Sequence, residues 1–248
     1  MELLSTGSSI TVVIVIVLPI ECCMLFPTIF YNVFDVTGNL KMQNNAIGII
    51  LGNGWYNQRD RTVEGHMWYD VPKMILQLEI EYEDGTKEMI VSDNSWKTTT
   101  GPLLHDAIFT GEIYDARKDL GHWNRESYDD NIWESALQVR PPTGTLMFQT
   151  IPFNKVMQIV DTHFEQLNDS LYIFTLPETV SGWCTLNVEG NSGDMIRLRF
   201  ISEEGLDYGQ TDTYILKGGD KEEWEPKFTW HTFRKVEVVS RNTKISEC

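Results

Sequence analysis

GPLLHDAIFTGEIYDAR, residues Gly101–Arg117, alternates turn and strand signals so closely that it leaves room for little but β-structure. It opens on a Gly-Pro turn and closes on a compact GEIYDAR block. Immediately upstream lies DGTKEMIVSDNSWKTTTG, Asp84–Gly101, a β-hairpin with an exposed SDNSWK end. Downstream lies GHWNRESYDDNIWESALQV, Gly121–Val139, which carries a W…W-x-x-A segment. Strands and turns follow one another at short spacing.

The same rhythm extends outward. In Met74–Tyr82, MILQLEIEY, Leu76, Leu78, Ile80 and Tyr82 alternate with Gln77, Glu79 and Glu81. A period of two with one apolar face is a half-buried strand. Asp84-Gly85 supplies the hairpin turn, and Glu88–Val91 returns as the partner strand. Ala46–Leu51, AIGIIL, reads as a buried strand entering a turn at Gly52-Asn53-Gly54 that uses positive φ. In the second half, Thr185–Val188 and Met195–Ile201 flank the turn EGNSGD, Glu189–Asp194. Ile196, Leu198 and Phe200 alternate there with Arg197 and Arg199. Asp212–Leu216 and Phe228–Val239 read as further strands. Only Ile132–Leu137 carries a helical period. Short strands with turn signals about every 8–12 residues predict sandwiches or barrels. The proline-rich Arg140–Gly144 and QTIPFNKV, Gln149–Val156, mark a boundary between two all-β units.

A chain of 248 residues is ample for two such cores. Its formal net charge is −16, which repels a phosphate backbone and makes nucleic acid an unfavourable partner. A neutral sugar is not repelled, and an acidic surface also keeps a protein soluble. Cys22, Cys23, Cys184 and Cys248 show no metal-ligand spacing, and adjacent cysteines do not easily bridge. They read as free thiols, which favours a reducing, cytoplasmic compartment over secretion. No phosphate-cradling glycine loop, Ser-His-Asp order or metal-ligand spacing is present, so neither cofactor nor metal is expected. The apolar run Ile10–Ile20, ITVVIVIVLPI, lacks the basic flank of a signal peptide. Pro19, Glu21 and Pro27 interrupt it before it reaches a spanning length of about 20 residues. A core strand or an unrelated start is preferred to a signal or anchor, and a membrane partner is not expected.

The order of these segments resembles the N-terminal β-sandwich region of bacterial α-L-rhamnosidases of glycoside hydrolase family 78. The likeness begins at Tyr31 with YNVFDVTGNLKMQNNAIGIILGNGWY and runs through the GEIYDAR block. It resumes in SGWCTLNVEGNSGDMIRLRF and in TDTYILKGGDKEEWEPKFTWHTFRKVEV, ending near Val239. The resemblance implies an all-β chain of two packed antiparallel β-sandwich (jelly-roll-like) domains. Residues 31–150 form the first and 151–240 the second. An unmatched apolar segment, 1–30, precedes them, and a tail, 241–248, follows. Departures are informative. FTLPETVSGW, Phe174–Trp183, replaces the family's F-D-x-G-Q-N before S-G-W, and HTFRK, His231–Lys235, replaces H-G-F-R-Y. The acid-rich catalytic segment of the family's helical barrel has no counterpart before Cys248.

The resemblance implies an accessory, non-catalytic part of a glycosidase that hydrolyses terminal α-L-rhamnose. Its implied partners are a helical-barrel catalytic domain and, through the parent enzyme, rhamnose-containing glycans. A free-standing carbohydrate-binding module and a gene fragment without independent activity are the alternatives. No catalytic residue is expected within the chain. Inverting hydrolysis needs two carboxylates about 6.5–9.5 Å apart, and the neighbours Glu203/Glu204, Glu222/Glu223 and Asp129/Asp130 point to opposite strand faces. Trp55 and Tyr56 follow a glycine turn, where an aromatic either stacks on a sugar or plugs the end of a sandwich. Glu112, Tyr114, Asp115 and Arg117 of GEIYDAR, with His231 and Arg234, are candidates for carbohydrate or domain-interface contacts. If the block is extended, Asp115 and Arg117 share a face and can pair. An apolar docking face is expected near GEIYDAR and Trp224–Phe233.

Overall fold

The computed structural model describes residues 8–15, 18–20, 28–41, 44–54, 56–58, 67–68, 71–141, 144–160, 162, 164–202, 209–240 and 243–247. For 8–15, 18–20, 58, 67–68 and 246–247 it describes the backbone alone. The chain forms two compact units that interleave along the sequence. One comprises residues 1–51, 72–99 and 121–155; the other comprises 52–71, 100–120 and 156–248. Among the described residues there is no α-helix, only 3₁₀ turns at Thr37–Asn39 and Ala116–Lys118. The expected helical period at Ile132–Leu137 is not realised. Glu134–Ser135 pairs instead with Lys97–Thr98, and Ile132 and Leu137 lie in solvent. Of its large side chains only Trp133 packs, against Trp123 and Tyr128, and one anchored side chain in six residues cannot offset the cost of helix nucleation.

The first unit is built on a four-stranded antiparallel sheet. Its strands are β1 (Ser8–Val15), β2 (Phe34–Asp35), β3 (Ile75–Tyr82) and β4 (Lys87–Val91), in the order β2-β1-β3-β4. The N-terminal apolar run is strand over its first part, to Val15: Ser8 pairs with Tyr82 and Val15 with Ile75. Alternation in β3 holds as expected. Leu76, Leu78 and Ile80 are buried, and Val36, Leu40, Ile49, Ile90 and Trp96 pack on them. Asp84 Oδ1 accepts from the Thr86 amide and hydroxyl, and Gly85 at φ +80° closes the turn. The AIGIIL segment is not a strand, and of its apolar side chains only Ile49 is withdrawn from solvent. Asn45 ties back onto the Lys41 amide and carbonyl, and Gly48 leaves room for the Trp123 ring. The run packs through single residues and finds no ladder partner among the described residues. A smaller sheet joins Leu18–Ile20, Thr28–Tyr31 and Thr145–Phe148, the last two in parallel.

The second unit is a two-layer sandwich. Its larger sheet contains β5 (Leu103–Ala107), β6 (Gly111–Asp115), β7 (Phe164–Asn168), β8 (Leu171–Gly182), β10 (Met195–Ile201), β11 (Thr211–Ile215) and β13 (His231–Ser240). The smaller contains β9 (Leu186–Glu189), β12 (Glu222–Trp224) and β14 (Lys244–Glu247). Strand order is β5-β6-β11-β10-β13-β8-β7 in one and β12-β9-β14 in the other. The larger sheet is mixed rather than wholly antiparallel, because β6 joins β11 in parallel with Ile113 opposite Thr213, while the smaller is antiparallel throughout. The β5–β6 hairpin comes from 100–120, far from β11 in sequence, and a long crossover permits parallel pairing.

The core lies between these layers. Tyr172, Phe174, Ile196, Leu198, Phe200, Tyr214, Val236 and Val238 from the large sheet meet Leu186, Val188, Trp224 and Ile245 from the small one. Each such side chain contributes about 1.5–3 kcal/mol on burial. Pro177 sits where the β8–β13 register shifts, between Thr175 and Val180. A residue without an N–H is tolerated at such an irregularity.

Candidate functional site

The chemistry-bearing residues of the second unit gather around a buried acidic knot. Gly111 begins β6 at φ +103°, with its α-carbon pressed against the Thr211 carbonyl. This approach brings Glu112 against Asp212, and the Glu112 amide donates to Asp212 Oδ1 at 2.8 Å. Asp212 is wholly buried and also accepts from the Thr229 hydroxyl at 3.2 Å. His231 Nε2 lies 3.1 Å from Asp212 Oδ2. The other ring nitrogen, Nδ1, is buried with no partner. The imidazole lies 4.1 Å from the Phe200 ring, centroid to centroid. Asp106 of β5 is fixed separately, accepting from Gly54 N at 2.7 Å and Asn53 Nδ2 at 3.2 Å.

Glu112 is the central group. Its Oε2 accepts from the amides of Lys227 and Phe228 at 2.8 and 3.0 Å, pinning the turn after β12. Its Oε1 is buried and unpartnered. Burial pushes its carboxyl up to about 7, with help from the Asp212 and Asp106 charges and against the two amide bonds. The knot has no surface from which a substrate could be attacked, since Glu112, Asp212 and His231 are each 0 % exposed. What the knot does in the fold is attach one turn, through the Glu112 carboxyl and the Lys227 and Phe228 amides.

The other candidates divide cleanly. Asp115 caps the 3₁₀ turn and takes both Arg117 Nε at 2.8 Å and Nη2 at 2.9 Å. Arg117 holds the Asp115 carboxyl below its ordinary value. Tyr114 packs on the core beside Tyr214 and Trp224, at 6.0 and 6.2 Å between ring centroids. Burial pushes its phenol up to about 12. Arg234 Nε donates to the Leu176 carbonyl at 3.4 Å. Tyr56 is buried after the turn at Gly54, whose φ of +47° matches the expected glycine geometry. Trp55 lies outside the described residues. Glu112 and His231 thus meet through Asp212, Asp115 meets Arg117, and Arg234 and Tyr56 join neither group. Trp224 is core rather than docking surface, whereas Trp230 is exposed.

Sequence reasoning passed over Asp106 and Thr229, and weighed Asp212 only among the scattered carboxylates of Asp207–Asp212 as a calcium candidate. A signal for Asp212 was present: period two puts it on the same face as Tyr214, a charge in a core position. Among the described residues, no group of three or more His, Cys, Asp or Glu side chains is arranged to hold a metal ion.

Residues 22–158, more than half of the chain, match the α-L-rhamnosidase N-terminal domain. The chain belongs to that family. Residues 165–247 match the bacterial α-L-rhamnosidase concanavalin-like domain. An α-L-rhamnosidase of Formosa agariphila is 33% identical over 238 residues, covering 87% of this chain and 25% of that protein. One from Streptomyces avermitilis is 31% identical over 224 residues, covering 84% of this chain and 22% of its own length. The structure of α-L-rhamnosidase from Dictyoglumus thermophilum superposes with a TM-score of 0.78 at 30% identity. That match covers 96% of this chain and 29% of the other. The Streptomyces avermitilis enzyme complexed with L-rhamnose superposes at a TM-score of 0.80 and 23% identity, over 99% of this chain and 28% of that one, and so shares the fold. The chain therefore spans about a quarter of the length of the curated relatives it matches. The family's N-terminal match contributes Glu112 to the knot, and the concanavalin-like match contributes Asp212, Thr229 and His231.

Proposed function

We propose that this chain serves as the accessory, non-catalytic β part of an α-L-rhamnosidase-like glycoside hydrolase. Its role is to support a helical-barrel catalytic domain and help shape the cleft for terminal α-L-rhamnose. Rhamnose-containing glycans are then partners of the parent enzyme. One observation carries the reading: two consecutive family domains fill the chain, yet span about a quarter of its curated relatives. The burial of Glu112, Asp212 and His231 supports a structural task for this group. The test is hydrolysis of an aryl α-L-rhamnoside by purified residues 1–248. No turnover is expected. Turnover that disappears on substituting an Asp or Glu within the chain would overturn the proposal.

A further inference from the structure

Trp183 and Trp230 differ from Trp224, their neighbour in the same unit. Trp224 is 5% exposed, whereas Trp183 and Trp230 are 39% and 42% exposed. Strand register explains their position. Gly182 of β8 pairs with His231 of β13, and Ser181 pairs with Thr232. His231 points into the core. Alternation turns its neighbours Trp230 and Thr232 to the opposite face. Opposite residues of an antiparallel pair share a face, which puts Ser181 there too. Trp183 lies two residues beyond Ser181, at the same end of the ladder as Trp230.

Polar groups frame the two indoles. Trp183 Nε1 donates to Glu225 Oε2 at 3.0 Å, which fixes the ring and the carboxylate together. The other Glu225 oxygen lies 3.6 Å from Lys227 Nζ. The Ser181 and Thr232 hydroxyls are 3.0 Å apart and exposed. Rigid aromatic faces with a few oriented hydroxyls and an acceptor carboxylate suit a pyranose ring. Its C–H face stacks on an indole, and its hydroxyls find partners around the rim. A chain of net charge −16 favours a neutral sugar over an acidic one.

We propose that Trp183, Trp230, Glu225, Ser181 and Thr232 form a binding platform for a neutral pyranoside. The indoles cover the apolar sugar face, Glu225 accepts from a ring hydroxyl, and Ser181 and Thr232 exchange bonds with another. Only the choice of a rhamnoside as first probe rests on the accessory-glycosidase reading.

The experiment titrates the intact chain with methyl α-L-rhamnopyranoside, methyl α-D-glucopyranoside and D-glucuronate. Tryptophan fluorescence and saturation-transfer NMR are the readouts. At least one neutral pyranoside should bind in the millimolar range, and more tightly than glucuronate. Trp183→Ala and Trp230→Ala should each weaken binding about tenfold, while the thermal midpoint stays put. Trp230→Phe should retain most of the affinity, which separates lost stacking from lost folding. Silence of both neutral sugars far above millimolar concentration would sink the platform. So would binding that neither tryptophan substitution changes, or tighter binding of glucuronate. If no sugar responds and Trp230→Ala instead abolishes self-association, the patch is a protein-docking face. None of these failures touches the aryl-rhamnoside test, which judges the accessory reading separately.

Discussion

At the scale of single residues, Glu112 governs a stability that depends on pH. Its folded value of about 7 lies above the ordinary 4.5, so the native state holds the proton more tightly than the unfolded chain. That contribution is full below about pH 4.5 and is lost as pH rises through about 7. The difference corresponds to roughly 3 kcal/mol for this group alone. Glu112→Gln keeps an acceptor for the Lys227 and Phe228 amides and cannot ionise. It should match wild type near pH 5 and exceed it at pH 8, with urea unfolding at both pH values as the measurement. Equal profiles for the two proteins would remove Glu112 as the source. Asp212 has a different role, because it accepts from the Glu112 amide, the Thr229 hydroxyl and His231. Asp212→Ala leaves these donors buried without a partner and should cost about 3–5 kcal/mol in the same assay.

At the scale of elements, alternation sets the outcome of a substitution. In β10 Leu198 is buried and Arg197 is exposed. Leu198→Ala should lose about 2–5 kcal/mol, and Arg197→Ala no more than about 0.5 kcal/mol, by chemical denaturation. A comparable loss from both would contradict the observed register. The β5–β6 hairpin depends on one glycine. A Cβ at Gly111 would stand 2.1 Å from the Thr211 carbonyl oxygen, at a φ of +103°. Gly111→Ala should therefore cost about 3 kcal/mol or more and loosen β6 from β11. Amide exchange across 111–115 reads this directly. No increase there would mean that the hairpin shifts to make room.

At the scale of the whole molecule, the second unit borrows strands from the middle of the chain. Residues 52–71 and 100–120 belong to it, and they supply β5, β6 and the Asn53–Gly54 turn that holds Asp106. A fragment of residues 156–248 lacks these, leaving the Lys227 and Phe228 amides without Glu112 and one edge of β11 bare. It should show no cooperative thermal transition, whereas the full chain, which keeps 52–71 and 100–120, should. A sharp transition from the short fragment would show that β5 and β6 are dispensable. Local patterns were enough for the all-β class, the alternation of β3 and β10 and the glycine turns at Gly54 and Gly85, since these depend on neighbours within a few residues. The recurring motifs identified the family for the same reason, being local strings. Long-range packing was needed to show that β6 runs parallel beside β11, that Glu112 and His231 meet through Asp212, and that Trp224 is core while Trp230 is exposed. Partners some 100 residues apart leave no periodic trace, and an aromatic looks the same in a string whichever side of its sheet is covered. AIGIIL shows the converse: its apolarity suggested a strand, but a ladder needs a neighbour with free edge bonds, and none of the described residues pairs with it.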